Sequence, residues 1–170
     1  MTAPSLLPAF IEADDALEFL YIAIRDRYNR FSVREAMSRI RSIFNSADEE
    51  IRYKIVTDLT AMKFAGVVPF LIDVLRNDQS PLIRHEAAFG IGTLGSARDS
   101  TPLIDALKYD LSNMVRHEAA VALAEIGGKD AIPVLEATTT DSDPSIASSA
   151  RFAIQSILLY LHQGLRAVNE

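Results

Sequence analysis

The chain reads IRHEAAFGIGTLG from Ile83 to Gly95 and VRHEAAVALAEIG from Val115 to Gly127, near-copies offset by 32 residues. The offset places His85-Glu86 and His117-Glu118 at equivalent positions, and the sequence holds only 3 histidines, so this slot takes two of them. At about 100° per residue, Ile83, Ala87, Gly90, Ile91 and Leu94 fall on one helical stripe. Val115, Ala119, Leu123 and Ile126 fall on the matching stripe of the second copy. These stripes are the expected core. His85 and His117 point away from them, with Glu86 and Glu118 on the flank. The histidine side is otherwise small and apolar: Ala88, Phe89 and Gly92, then Ala120, Val121 and Ala124. A solvated helix face carries lysine, glutamate and glutamine instead. Either something approaches this face closely, or it packs on a neighbouring helix or on the N-terminal segment.

The same beat extends outward. Ile51-Arg52-Tyr53-Lys54 precedes Ile83 by one period, and Ile146-Ala147-Ser148-Ser149 follows Val115 by 31 residues. Pro69, Pro102 and Pro133 mark the openings of short helices, where the missing N–H costs nothing. Polar loops (Asn77-Asp78-Gln79-Ser80, Asp110-Leu111-Ser112-Asn113, Asp141-Ser142-Asp143) lead into longer helices. Ser80 and Asp143 are the expected N-caps, and Gly95 and Gly127-Gly128 the expected left-handed C-caps. Two helices per period of about 30 residues predict an all-α fold, an α-solenoid of about four helical hairpins.

Ahead of the hairpins, Met1–Ala13 reads as a loose arm, and Asp14 or Asp15 caps a helix running to about Tyr28. Ser32-Val33-Arg34-Glu35 reads as a capping box opening a helix to Phe44-Asn45, and Asp48 caps a third from Glu49 to Lys63. The organisation expected is one domain over 1–170: arm and capping helix 1–30, repeats 31–157, C-terminal cap and tail 158–170, with Phe152–Ala167 closing the far end.

A length of 170 residues suits one domain, and 49% hydrophobic with 24% charged residues places the chain among ordinary globular proteins. The net charge of −6 argues against a nucleic-acid partner and accommodates a basic protein. With no cysteine, disulfides, thiolate metal sites and thiol nucleophiles are excluded. No stretch reaches the roughly 18 apolar residues of a membrane span, and Met1–Ile11 lacks a basic signal-like start. The expected location is the cytoplasm.

The phrase around both pairs resembles short HEAT-like repeats of the phycobilisome-lyase type. From about Ile51 to Ile157 the chain looks closer still to one half of deoxyhypusine hydroxylase. Arg84-His85-Glu86-Ala87-Ala88 and Met114-Val115-Arg116-His117-Glu118-Ala119 match that family's motif residue by residue. The resemblance implies His85, Glu86, His117 and Glu118 as metal ligands, two iron ions, oxygen activation, and hydroxylation of an amine-bearing side chain. It departs from the family in carrying two His-Glu pairs where the family has four. Tyr53-Lys54 and Ser148-Ser149 fill the other slots.

Imidazole with carboxylate suits iron, manganese or zinc rather than calcium or magnesium. Two readings therefore stand. One is a di-iron protein, with manganese as the alternative ion, working as a two-fold homodimer that doubles its ligands across the histidine face. The other is a metal-free scaffold that binds a protein partner on its concave face, where glutamate early in a helix merely suits the macrodipole. His162 has no repeat partner and reads as structural. Tyr53-Lys54 reads as surface. Arg52, Arg84 and Arg116 are expected to pair with acids of the loop before each helix. Gly90-Ile91-Gly92 lies inside a helix without a preceding strand and is no phosphate loop.

Overall fold

The computed structural model describes residues 7–25 and 30–162. Among them are nine α-helices, three one-turn 3₁₀ helices and no strand, so the fold class is the all-α hairpin architecture expected. The expectations for residues 1–6, for a first helix ending at Tyr28 and for a last one reaching Ala167 fall outside the described residues. The chain divides into two compact units, Met1–Val67 and Val68–Glu170.

The first unit holds α1 (Leu7–Arg25), α2 (Arg30–Ser46) and α3 (Glu49–Ala61). α1 starts well before the expected Asp14. Its buried residues Ala13, Ala16, Leu17, Leu20 and Ala23 keep helical spacing, so the apolar stripe already runs ahead of Asp14 and Asp15, which are exposed. The expected arm is thus helical from Leu7. α2 is already helical at Arg30, which puts Ser32 inside the first turn and removes the expected capping box. Asp48 does cap α3, its carboxylate accepting from the Ile51 N–H at 3.1 Å. Past Ala61, Lys63 takes a left-handed φ of 52° and turns the chain out of the helix. Lys54 of α3 pairs with Asp14 of α1 at 2.8 Å and with Asp58 one turn on.

The second unit stacks three hairpins: α4 (Val68–Asn77) with α5 (Pro81–Leu94), α6 (Ser100–Tyr109) with α7 (Asn113–Ile126), and α8 (Ile132–Thr138) with α9 (Pro144–His162). The expected stripes are its core: Ile83, Ala87, Ile91, Val115, Ala119, Leu123 and Ile126 are all buried. The 3₁₀ turns at Ala65–Val67, Ala97–Asp99 and Lys129–Ala131 keep the 32-residue beat and were not expected. Ser96 and Asp99 close a capping box around the middle one.

The long helices α5, α7 and α9 form one layer and pack on each other far more extensively than α4 packs on α6. Small residues make this close approach. A Cβ added at Gly92 would stand 2.9 Å from the Ala122 Cβ, closer than two carbons tolerate. Ala88, Ala120 and Ala124 are buried within the layer. Of the two alternatives for this face, packing on a neighbouring helix holds for these three residues, which the adjacent repeat covers. Phe89 is the residue of that set that stays exposed.

Arginines lock successive hairpins, and in the opposite sense to that expected. Arg84 makes two hydrogen bonds, 2.7 and 2.8 Å, to the carboxylate of Asp110, which lies in the loop after α6 rather than before α5. It also donates to the Asp78 and Gln79 carbonyls of the preceding loop. Arg116 likewise pairs with Asp141 of the next hairpin and donates to the Leu107 carbonyl. Arg84 thus spans its own loop and the following one, whereas Arg116 ties the last turn of α6 to the following loop. Burial works to raise the Asp110 pKa, but the Arg84 guanidinium and the Ser112 N–H outweigh it and hold the carboxyl below its ordinary value.

The caps match expectation in part: Asp143 does cap α9, its carboxylate accepting from the Ser145 N–H at 2.9 Å. Asp78, Asp110 and Asp141 each accept the N–H two residues on, from Ser80, Ser112 and Asp143. The Ser80 hydroxyl makes no capping bond. Gly127 ends α7 in the left-handed conformation, φ 70°. Gly95 ends α5 extended, and its glycine answers to space: a Cβ there would meet the Ile91 carbonyl at 2.6 Å. Among the described residues no helix is long and apolar enough to cross a membrane.

Candidate binding face of the long helices

Helical spacing puts Leu82, His85, Glu86, Phe89 and Thr93 of α5 on one side of the layer. The equivalent residues are Met114, His117, Glu118, Val121 and Glu125 of α7, then Ser145, Ser148, Ser149, Phe152 and Ser156 of α9. The stripes on the opposite side bury these helices against α4, α6 and α8. This face is therefore where the sequence-predicted residues sit.

The structure brings three of the four candidates together. The His85 ring lies between two carboxylates: Nδ1 is 3.4 Å from Glu86 Oε1, and Nε2 is 3.3 Å from Glu118 Oε2. His85 Nδ1 is buried without a hydrogen-bond partner. Glu118 is 9% exposed. Burial pushes its carboxyl above the ordinary glutamate value; His85 and His117 pull it back, while Glu86 and Glu125 add to the rise.

His117 does something else. Its Nδ1 lies 2.9 Å from the Ser149 hydroxyl and 3.3 Å from that of Ser145, both on α9. Ser149 fills in α9 the slot that Glu118 fills in α7. The rule is the same at both junctions: the histidine of one hairpin reaches the glutamate slot of the next. Sequence reasoning assigned Ser149 no role, although its match to the Glu118 slot was the available signal. Among the described residues no group of three or more His, Asp or Glu side chains is placed to hold a metal ion. His162 bonds its own helix at the Leu158 carbonyl, 2.9 Å away, and takes no part in the face. Tyr53 and Lys54 belong to the first unit, with Lys54 held by the ion pairs given above.

Exposed apolar side chains share this face with the carboxylates. Phe89 is 49% exposed and Phe152, in the same slot of α9, is 56% exposed, while Leu82 and Met114 share a second slot and are also exposed. A shallow groove of about 210 Å³ between α4 and α6, lined by Leu75, Arg76, Asp105 and Tyr109 among others, belongs to the short-helix layer and includes none of the four candidates.

The profile of HEAT repeats matches residues 37–119 and 68–155, which together span most of the chain. The chain belongs to the HEAT-repeat family. A search of curated proteins returns no match. HEAT membership agrees with the hairpin stacking and with the arginine–aspartate lock between hairpins, and it extends to no particular enzyme.

Proposed function

We propose that this HEAT-repeat protein is an interaction scaffold that holds a protein partner on the face of α5, α7 and α9. The observation that carries this is Phe89 and Phe152. Two aromatic rings in the same slot of α5 and α9 stay about half exposed on the helix layer that is otherwise most closely packed. Exposed aromatics that recur in register are what a binding surface offers, since burying the exposed half of each ring against a partner is worth about 1 kcal/mol. HEAT proteins commonly mediate protein–protein contacts, which supports the reading without naming a partner. The test is proximity crosslinking in the native host from a photoreactive residue at position 89. Capture of a defined protein, lost in a Phe152→Glu background that keeps its helicity, supports the scaffold. A crosslinking pattern identical to that from a photoreactive residue at Lys108, outside this face, would count against it.

A second reading rests on a different observation, the orphaned His85 Nδ1 and the His85–Glu118 spacing. Two ligands of one transition-metal ion, each bonded at about 2.1 Å, stand about 3.0–3.4 Å apart. His85 Nε2 and Glu118 Oε2 fit that spacing. The set does not fit a dinuclear iron centre, because His117 is engaged by serines and no three-ligand group forms among the described residues. What remains is a two-residue half-site for one iron or manganese ion, completed by a second copy across the same face. Elemental analysis with native mass separates this from the scaffold: one metal per two chains, lost in His85→Ala, supports it, and a metal-free protein removes it.

A further inference from the structure

The Glu86–His85–Glu118 cluster carries more negative charge than it can balance. A neutral imidazole has one N–H to donate, and a protonated one brings a single positive charge to two carboxylates. One of those carboxylates is largely removed from water. No lysine or arginine occupies any of the fifteen matched face positions on α5, α7 and α9, whereas Glu86, Glu118 and Glu125 do. The nearby arginines, Arg84 and Arg116, are committed to Asp110 and Asp141. The same face carries Leu82 and Phe89 on α5, Met114 on α7 and Phe152 on α9, all exposed. Negative charge on a face with exposed apolar side chains complements one kind of ligand, a cationic group carried on an apolar segment.

We propose that the face accepts a segment of another protein in which a lysine or arginine is flanked by apolar residues. The cation seats over Glu86 and Glu118, on the solvent side of the His85 ring that lies between them, and the apolar flanks cover Phe89 and Met114. This rests on the scaffold reading and sharpens it to a partner chemistry. The aromatic ring of Phe89, one turn from Glu86, gives the bound cation a second favourable contact. Desolvation of Glu118, unfavourable in the free protein, becomes an advantage in the complex, because a charge pair is stronger where water is excluded.

The experiment uses the full chain and a fluorescent synthetic amphipathic helix of leucine and lysine, read by anisotropy at physiological salt with chelator present. The comparison probe has every lysine replaced by glutamate. The expected result is binding of the lysine peptide alone. Affinity should fall at least about tenfold in Glu86→Gln/Glu118→Gln, a change of about 1.4 kcal/mol, and comparably in Phe89→Ser. The charge-matched control Asp130→Asn/Glu136→Gln, at exposed positions off the face, should stay within about twofold of wild type. Equal loss in that control would overturn the proposal, since net charge would then explain the attraction. Failure of the lysine peptide to bind, or a requirement for added divalent metal, overturns it as well. Binding of the glutamate peptide that disappears in Phe89→Ser would overturn the cation seat yet leave the scaffold standing; crosslinking from position 89 decides the scaffold separately.

Discussion

Two junctions of the second unit use the same slots with different chemistry. Between α5 and α7, a glycine lets the helices touch at Ala122, an arginine grips Asp110 with two bonds, and a histidine meets a carboxylate. Between α7 and α9, Ala124 stands in the glycine slot, Arg116 pairs with Asp141, and the histidine meets serine hydroxyls. The histidine slot is therefore a rung between hairpins in both cases. What it faces decides whether the junction only holds the repeats together or also accumulates charge. The first junction is the more closely packed of the two, and the candidate ligand site lies at it.

The largest effect should come from Arg84→Ala. Its side chain and that of Asp110 are both mostly buried, 14% and 8% exposed. Removing the guanidinium leaves the carboxylate uncompensated at a cost of about 3 kcal/mol. Arg116→Ala should cost clearly less. Urea unfolding with hydrogen exchange in α5 and α7 measures both, and equal losses would erase the distinction between the junctions.

Next comes Gly92→Leu, which forces α5 away from Ala122 and should cost about 2 kcal/mol through overpacking. The reverse exchange at the matched slot, Ala124→Gly, should cost about 1 kcal/mol through helix propensity. A tolerated leucine at 92 would show that the close approach is not required.

Ser149→Ala should cost about 1 kcal/mol, the worth of one hydrogen bond. It should also shift the tautomer balance of His117 seen by nitrogen-detected NMR, while His85 is unchanged. A shift at His85 instead would mean the two rungs are coupled.

The smallest effect is Glu118→Gln, and it should have the opposite sign. The folded-state pKa of Glu118 is raised, so between the unfolded value near 4.5 and the raised folded value the native chain holds more protons than the unfolded one. Stability attributable to this group therefore falls as pH rises through that window. Glu118→Gln should melt higher than wild type above the window, and the gain should vanish below it. A variant that melts lower at neutral pH would show that the carboxylate stabilises the fold.

Much of this was legible in the sequence, for reasons that differ by element. The core stripes of Ile83–Leu94 and Val115–Ile126 follow from helical spacing alone, and the prolines and the Asp48 cap act locally. What was missed depends on neighbours. Periodicity shows that Ala88, Ala120 and Ala124 avoid the main stripe, yet the side of a helix that meets the next repeat is decided by stacking. Arg84 could reach either loop; the choice of Asp110 follows from how far one hairpin stands from the next. Gly95 looked like a conformational requirement and turned out to be a steric one. At the candidate site, the four residues were found by repetition, but the bracket of two carboxylates around one ring needed coordinates.

The arginine–aspartate lock has a consequence for rearranging the chain. Each locked hairpin works like a railway carriage, with a coupling hook at one end and an eye at the other. Arg84 hooks forward into Asp110 and Arg116 into Asp141, whereas α9 carries Ala147 where the hook belongs. A tandem copy of residues 97–128 inserted after Gly128 would carry both Asp110 and Arg116 and so pass the coupling on. A copy of the α8–α9 hairpin brings an eye and no hook, so a train lengthened with it would separate at that join.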